Sequence, residues 1–156
     1  MNAFAAAGLG FLLAVLWFDL MFDIQTRKHD EEVLPPEVLA SISAYYRRVT
    51  TDAAPMNRLV ALMMLIVLGA ILAEIFADEM SPWITWGSLA VALFGFAVTR
   101  MRTLPNAIRL GQATDPPEVQ SQIARSVFRD HAFGFARTLL LLALQLATQG
   151  STISVQ

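Results

Sequence analysis

Cysteine is absent from this 156-residue chain, which rules out a disulfide, a thiolate metal site, an iron–sulfur cluster and a cysteine nucleophile. Charge is scarce over most of its length. Charged residues make up 15% of the chain against 56% hydrophobic ones, a balance a soluble domain rarely carries, because several long apolar runs would have to hide in one small core. The two-residue alternation of membrane-barrel strands is missing as well. No basic stretch interleaved with aromatics is present, which excludes nucleic acid as a partner. The first apolar run has no basic segment before it and continues into Asp19 and Asp23, so it reads as a retained helix and not as a cleaved signal.

What the chain does contain is apolar length. Crossing the hydrocarbon takes about 20 mostly apolar residues, and four stretches approach that: Ala3 to Ile24, Asn57 to Ala77, Pro82 to Thr99 and Ala132 to Thr148. Lipid leaves backbone polar groups unsatisfied unless the segment is helical. The expected fold is therefore all-α, a polytopic bundle of four transmembrane helices forming one domain over residues 1–156. The eleven Lys and Arg residues fall in or beside two polar segments, Arg27, Lys28, Arg47, Arg48 and Arg58 at the first, Arg100, Arg102, Arg109, Arg125, Arg129 and Arg137 at the second. Lys and Arg accumulate on the cytoplasmic side of spanning helices. Both long loops are thus expected in the cytoplasm and both termini outside, in a bacterial inner membrane. Glu74 to Ser81 carries three acids and no base, as suits the outer side. Membrane lipids are the expected surroundings, with anionic headgroups the partners of the arginines at the cytoplasmic face.

The two halves look related. Pro35-Pro36-Glu37-Val38 reappears as Pro116-Pro117-Glu118-Val119, and at the same offset Ile42 matches Ile123 and Arg48 matches Arg129. Tandem helical hairpins, 1–80 and 81–156, follow from this repeat, each with a cytoplasmic amphipathic helix opened by proline and glutamate. The first such helix is expected from about Pro36 to Thr50, ending in a kink at Ala53-Ala54-Pro55. The second starts at Pro117 and has no strong breaker before the last span.

Asp19 and Asp23 lie four residues apart, on one face of the first helix. A charge at the bilayer centre costs about 2.5 to 3.5 kcal/mol, so these carboxylates must face protein, water or headgroups. Arg137, at similar depth on the last helix, is the expected partner of Asp19, and Asn57, Arg58 and His131 extend the network around Asp23. Two readings stay open for this set: an ion pair that locks helices and does no chemistry, and a polar cavity on the cytoplasmic side. Tyr45 and Tyr46 are expected at the inner interface, and Trp83 and Trp86 at the outer one. His29-Asp30-Glu31-Glu32 has the letters of a hard-metal cluster and also of a solvated loop; neither a metal nor a cofactor is assigned.

Thr103-Leu104-Pro105-Asn106 after the third span, and His131 followed by Phe135-Ala136-Arg137-Thr138-Leu139 at the fourth, resemble the DUF1772 or anthrone oxygenase-like group of small four-helix membrane proteins. The resemblance covers the C-terminal third. Asp130 stands before His131 where the group has Asn, and five residues instead of two separate His131 from Arg137. It implies, for some members, cofactor-independent oxidation of a polycyclic aromatic, with Asn106, His131 and Arg137 as the residues that would carry it. The expected function is a cytoplasmic-side, ion-paired cavity that binds a lipophilic ligand or a membrane partner, a second copy of the chain included. The alternatives are a membrane enzyme with His131 as base and Arg137 or Asn106 steadying an oxyanion, and an oligomeric ion or proton pathway through Asp19, Asp23 and Glu74.

Overall fold

Proline sets the start of both helices that follow the Pro-Pro repeats. Pro36 and Pro117 occupy first helical turns, where a missing N–H removes no bond. The carbonyl of Pro35 accepts from the amides of Val38 and Leu39 at 3.0 and 3.1 Å, and that of Pro116 accepts from Gln120 at 2.9 Å. Glu37 and Glu118 stand in those same turns, against the positive end of the helix dipole.

The computed structural model describes residues 2–77 and 82–153, with side chains for 3–53, 55–76 and 82–146. Among these residues the chain is helical and contains no strand. Helix α1 (Asn2–Asp23) closes in a 3₁₀ turn, Ile24–Lys28; α2 (Pro36–Arg47) ends in a π-helical turn, Arg48–Asp52; α3 is Ala54–Ala77. Helix α4 (Pro82–Val98) passes through a second π-helical turn, Thr99–Thr103, into α5 (Leu104–Gln112), and α6 is Pro117–Ile153. Residues 78–81 of the acidic segment expected on the outer side, and the terminal residues 1 and 154–156, lie outside the described residues.

Three helical stretches are long and apolar enough to cross a membrane, Ala3–Lys28, Pro55–Phe76 and Pro82–Gln112. The fourth expected span is the distal part of α6, whose side chains beyond residue 146 are outside the described set. Gly134 does not interrupt α6, which runs for 37 residues; one glycine costs only about 1 kcal/mol in a helix. The Pro105-Asn106 segment is helical too, with Pro105 in the first turn of α5.

Side-by-side hairpins would make α1 with α3 and α4 with α6 the main pairs. Instead α1 lies most extensively along α6 and next along α3, and α4 leans more on α3 than on α6. The acids of α1 meet their partner on α6, which draws these two helices together across the boundary between the repeats. Matched positions of the repeat share one core: Val38, Ile42 and Ile123 are buried together, with Val119 packed against them.

Two apolar clusters organise the molecule. One joins α2, α5 and the first half of α6 through Leu34, Leu39, Ile42, Tyr46, Leu110 and Val127. The other joins α1, α3 and the second half of α6 through Leu9, Val67, Ile71 and Leu141. Two glycines permit close approach: a Cβ on Gly8 would come 2.6 Å from Val67 Cγ2, and one on Gly111 would come 2.7 Å from the backbone nitrogen of Arg47. The left-handed position that ends α5 falls to Ala113, with φ 51°, because the nearby glycine is needed where α5 touches α2. Outside the clusters, Phe4, Trp17, Leu62, Leu65, Phe94, Phe133, Leu140 and Leu146 are exposed.

Candidate functional site

The polar centre lies where the two apolar clusters meet. At the end of α1 the helical spacing aims Asp19 and Asp23 at α2 and α6. Asp23, 1% exposed, has both carboxylate oxygens engaged: Tyr46 donates its hydroxyl to Oδ1 at 2.7 Å and His131 Nδ1 lies 2.7 Å from Oδ2. A carboxylate oxygen can only accept, so Nδ1 carries a proton. Asp19 accepts the Tyr45 hydroxyl on Oδ1 at 2.6 Å, and its Oδ2 lies 3.8 Å from His131 Nε2. The 3.4 Å approach of the Tyr46 hydroxyl to Nδ1 is proximity alone, since both protons already point at Asp23.

Helix α2 delivers the two phenols. Tyr46 continues the buried stripe of Val38, Leu39 and Ile42, and its hydroxyl, carried 1% exposed into the interior, needs an acceptor. Tyr45 stacks on Phe22 with centroids 4.0 Å apart. Burial first, then Asp23, holds the Tyr46 phenol well above its ordinary value, and burial followed by Asp19 does the same for Tyr45. Both hydroxyls therefore keep their protons at neutral pH. Tyr46 is turned into the protein, and Tyr45 is only partly covered. Their signal in the sequence was a hydroxylated aromatic on the apolar face of an amphipathic helix.

A cavity of about 300 Å³ opens against this centre. Its walls are mostly apolar, with Val15, Phe18, Val49, Met56, Val60, Leu104 and Ala107, and its polar lining is Asp19, Tyr45, Tyr46, Thr50, Asn57 and His131. A smaller void of about 100 Å³ adjoins it, sharing Val15, Asp19, Val60 and His131 and reaching Thr103, Asp130 and Arg137.

Of the expected network, Asp19, Asp23 and His131 come together, and Asn57 joins them at the cavity wall, its side-chain amide donating to the Thr50 carbonyl at 2.9 Å. The expected Asp19–Arg137 ion pair does not form: Asp19 is engaged by Tyr45 and His131. Arg137 instead lies in the space Gly95 leaves on α4, where a Cβ would come 2.5 Å from the guanidinium carbon. Arg58 is exposed and has no ion pair among the described residues, so it takes no part; as the next residue it lies about 100° round the helix from the inward face that Asn57 occupies. Asn106 is partly buried on α5 and lines neither void, because the helix turns its neighbours Leu104 and Ala107 to the cavity. Asp130 pairs with Arg102 at 3.1 Å and accepts from Thr103 at 3.3 Å.

The His29–Glu32 loop is held by α6. Arg125 donates to the carbonyls of Glu32 at 2.8 Å and His29 at 3.4 Å, and also to that of Glu31, while Ser121 accepts the Leu34 amide at 2.9 Å. Among the described residues no group of three or more His, Asp or Glu converges in a way that could hold a metal.

No family model matches the chain, and neither does any curated protein or solved structure.

Proposed function

We propose that this is an integral protein of the bacterial inner membrane that binds a lipophilic ligand in the cavity beside His131. The observation that carries the reading is the cavity itself: an apolar chamber of about 300 Å³ with its polar groups gathered at one end, around Asp19 and His131, as small-molecule sites are built. In this reading α6 supplies a fourth span, consistent with the outward Phe133, Leu139, Leu140 and Leu146. Both polar segments then face the cytoplasm, where their arginines meet anionic headgroups, and both termini face outward.

A second reading, a membrane enzyme with His131 as base, is favoured by one feature. Asp23 holds His131 by Nδ1, so Nε2, on the side of Asp19 that lines the cavity, is the ring nitrogen that would take a substrate's proton. In that reading Arg137, in the adjoining void, is the group that would steady a developing oxyanion, and Asn106 has no place at the cavity. An ion or proton pathway is disfavoured. Glu74, buried with Gln145 at 3.2 Å, stands beyond the packed cluster of Leu9, Val67, Ile71 and Leu141 from the polar centre.

Native mass spectrometry with an absorption spectrum, on protein extracted gently from its own membrane, tests the proposal. A stoichiometric lipid, quinone or pigment, lost when Val60→Phe fills the chamber, is the expected result. A bare chain in both forms would leave a helix-locking polar core without a ligand.

A further inference from the structure

The cavity's polar lining has a one-sided hydrogen-bonding character. The Tyr45 and Tyr46 hydroxyls donate to Asp19 and Asp23, the Thr50 hydroxyl donates to the Tyr46 carbonyl at 2.6 Å, and His131 Nδ1 donates to Asp23. One amide hydrogen of Asn57 is committed to the Thr50 carbonyl. What remains toward the cavity is acceptors: Asp19 Oδ2 and the lone pairs of the hydroxyl oxygens. The second amide hydrogen of Asn57 is a donor left over, and His131 Nε2 faces Asp19 Oδ2 at 3.8 Å. Charge points the same way. Asp19 is on the wall and Asp23 directly behind it, His131 is their one basic partner within 4 Å, and among the described residues no Lys or Arg lines this cavity. Arg137 lines the adjoining void and not this cavity.

A ligand that brings acceptors would leave these lone pairs facing its own, and an acceptor buried without a donor is unfavourable. An anionic head would add repulsion from Asp19. A donor head satisfies Asp19 Oδ2, and a cationic donor also faces the rings of Phe18, Tyr45 and Tyr46 that line the chamber. Resting on the ligand-binding reading above, we infer that the cavity selects an amphiphile whose head group donates hydrogen bonds, and that it prefers a protonated amine over a neutral hydroxyl.

The test uses the full chain in nanodiscs of zwitterionic lipid, with octylamine, octanol and octanoate as probes, and binding is taken as the part of each response that Val60→Phe removes. The expected order is octylamine, octanol, octanoate, with the amine bound about tenfold or more tighter than the carboxylate, since charge-assisted bonds are about twice as strong as neutral ones. Asp19→Asn should weaken the amine about tenfold and move the alcohol little. Tyr45→Phe, which frees Asp19 Oδ1 as a further acceptor, should hold or tighten amine binding and guards against a misfolded Asp19→Asn. Octanoate binding as well as octylamine, yet still lost in Val60→Phe, would overturn the donor preference and leave the cavity reading standing. A fall in amine binding in Tyr45→Phe would also overturn it. Responses unchanged by Val60→Phe for all three probes would sink the cavity reading, and the preference with it.

Discussion

The two tyrosines are unequal in what they hold. Tyr46 is almost fully buried and supplies one of the two bonds that satisfy Asp23, itself 1% exposed. Its loss leaves a buried carboxylate oxygen without a donor, a change that costs about 1–3 kcal/mol. Tyr46→Phe is therefore expected to lower unfolding stability in detergent by that amount, and Tyr45→Phe by less, because its bond to Asp19 is only partly buried. Equal losses, or none for Tyr46→Phe, in denaturant titrations would show that Asp23 finds another donor. His131→Ala should be worse than either, about 3–5 kcal/mol, since it strips a buried carboxylate of its ionic partner. Arg137→Ala, by contrast, removes no ion pair among the described residues and should cost less than His131→Ala in the same titration.

At the scale of elements, glycine positions decide how closely helices approach. A Cβ on Gly111 would press on the Arg47 backbone at 2.7 Å, whereas one on Gly95 would meet only the far end of the Arg137 side chain. Backbone cannot step aside, but a guanidinium can. Gly111→Ala is expected to destabilise the α2–α5 contact by about 1–3 kcal/mol, as overpacking does, and Gly95→Ala by well under that. Similar midpoints for the two variants in thermal unfolding would contradict this account. Nothing local in the sequence shows that Gly95 accommodates the Arg137 guanidinium. Nor does any local pattern show that Gly111 serves packing and leaves the left-handed turn to Ala113, because a glycine letter is the same in either role.

For the whole molecule, the open matter is orientation. Both polar segments carry the basic residues, and the α2, α5 and proximal α6 elements share one buried core, so they belong on one side of any membrane the chain crosses. The lack of cysteine makes this directly measurable. Single cysteines at Asp52 and Thr114, both exposed, should react with an impermeant maleimide in inverted vesicles and stay unlabelled in intact spheroplasts. Labelling of either from the outer face would reverse the assigned topology.

Composition and charge pattern alone dictated that the chain is helical and rich in membrane-length segments, because lipid demands helices and about 20 apolar residues leave little choice. The Pro-Pro-Glu starts of α2 and α6 were legible for the same local reason: proline and glutamate act within one turn. Asp19, Asp23 and His131 stood out as groups lipid would reject. Which partner each found was decided by tertiary structure, since α1 could have met Arg137 as well as His131 until packing fixed its rotation and height against α6. Tyr45 and Tyr46 became part of the site only when α2 folded back over the end of α1. An ion pair and a hydrogen-bonded cavity require contacts between residues far apart in the chain, and no local pattern of letters specifies those distances.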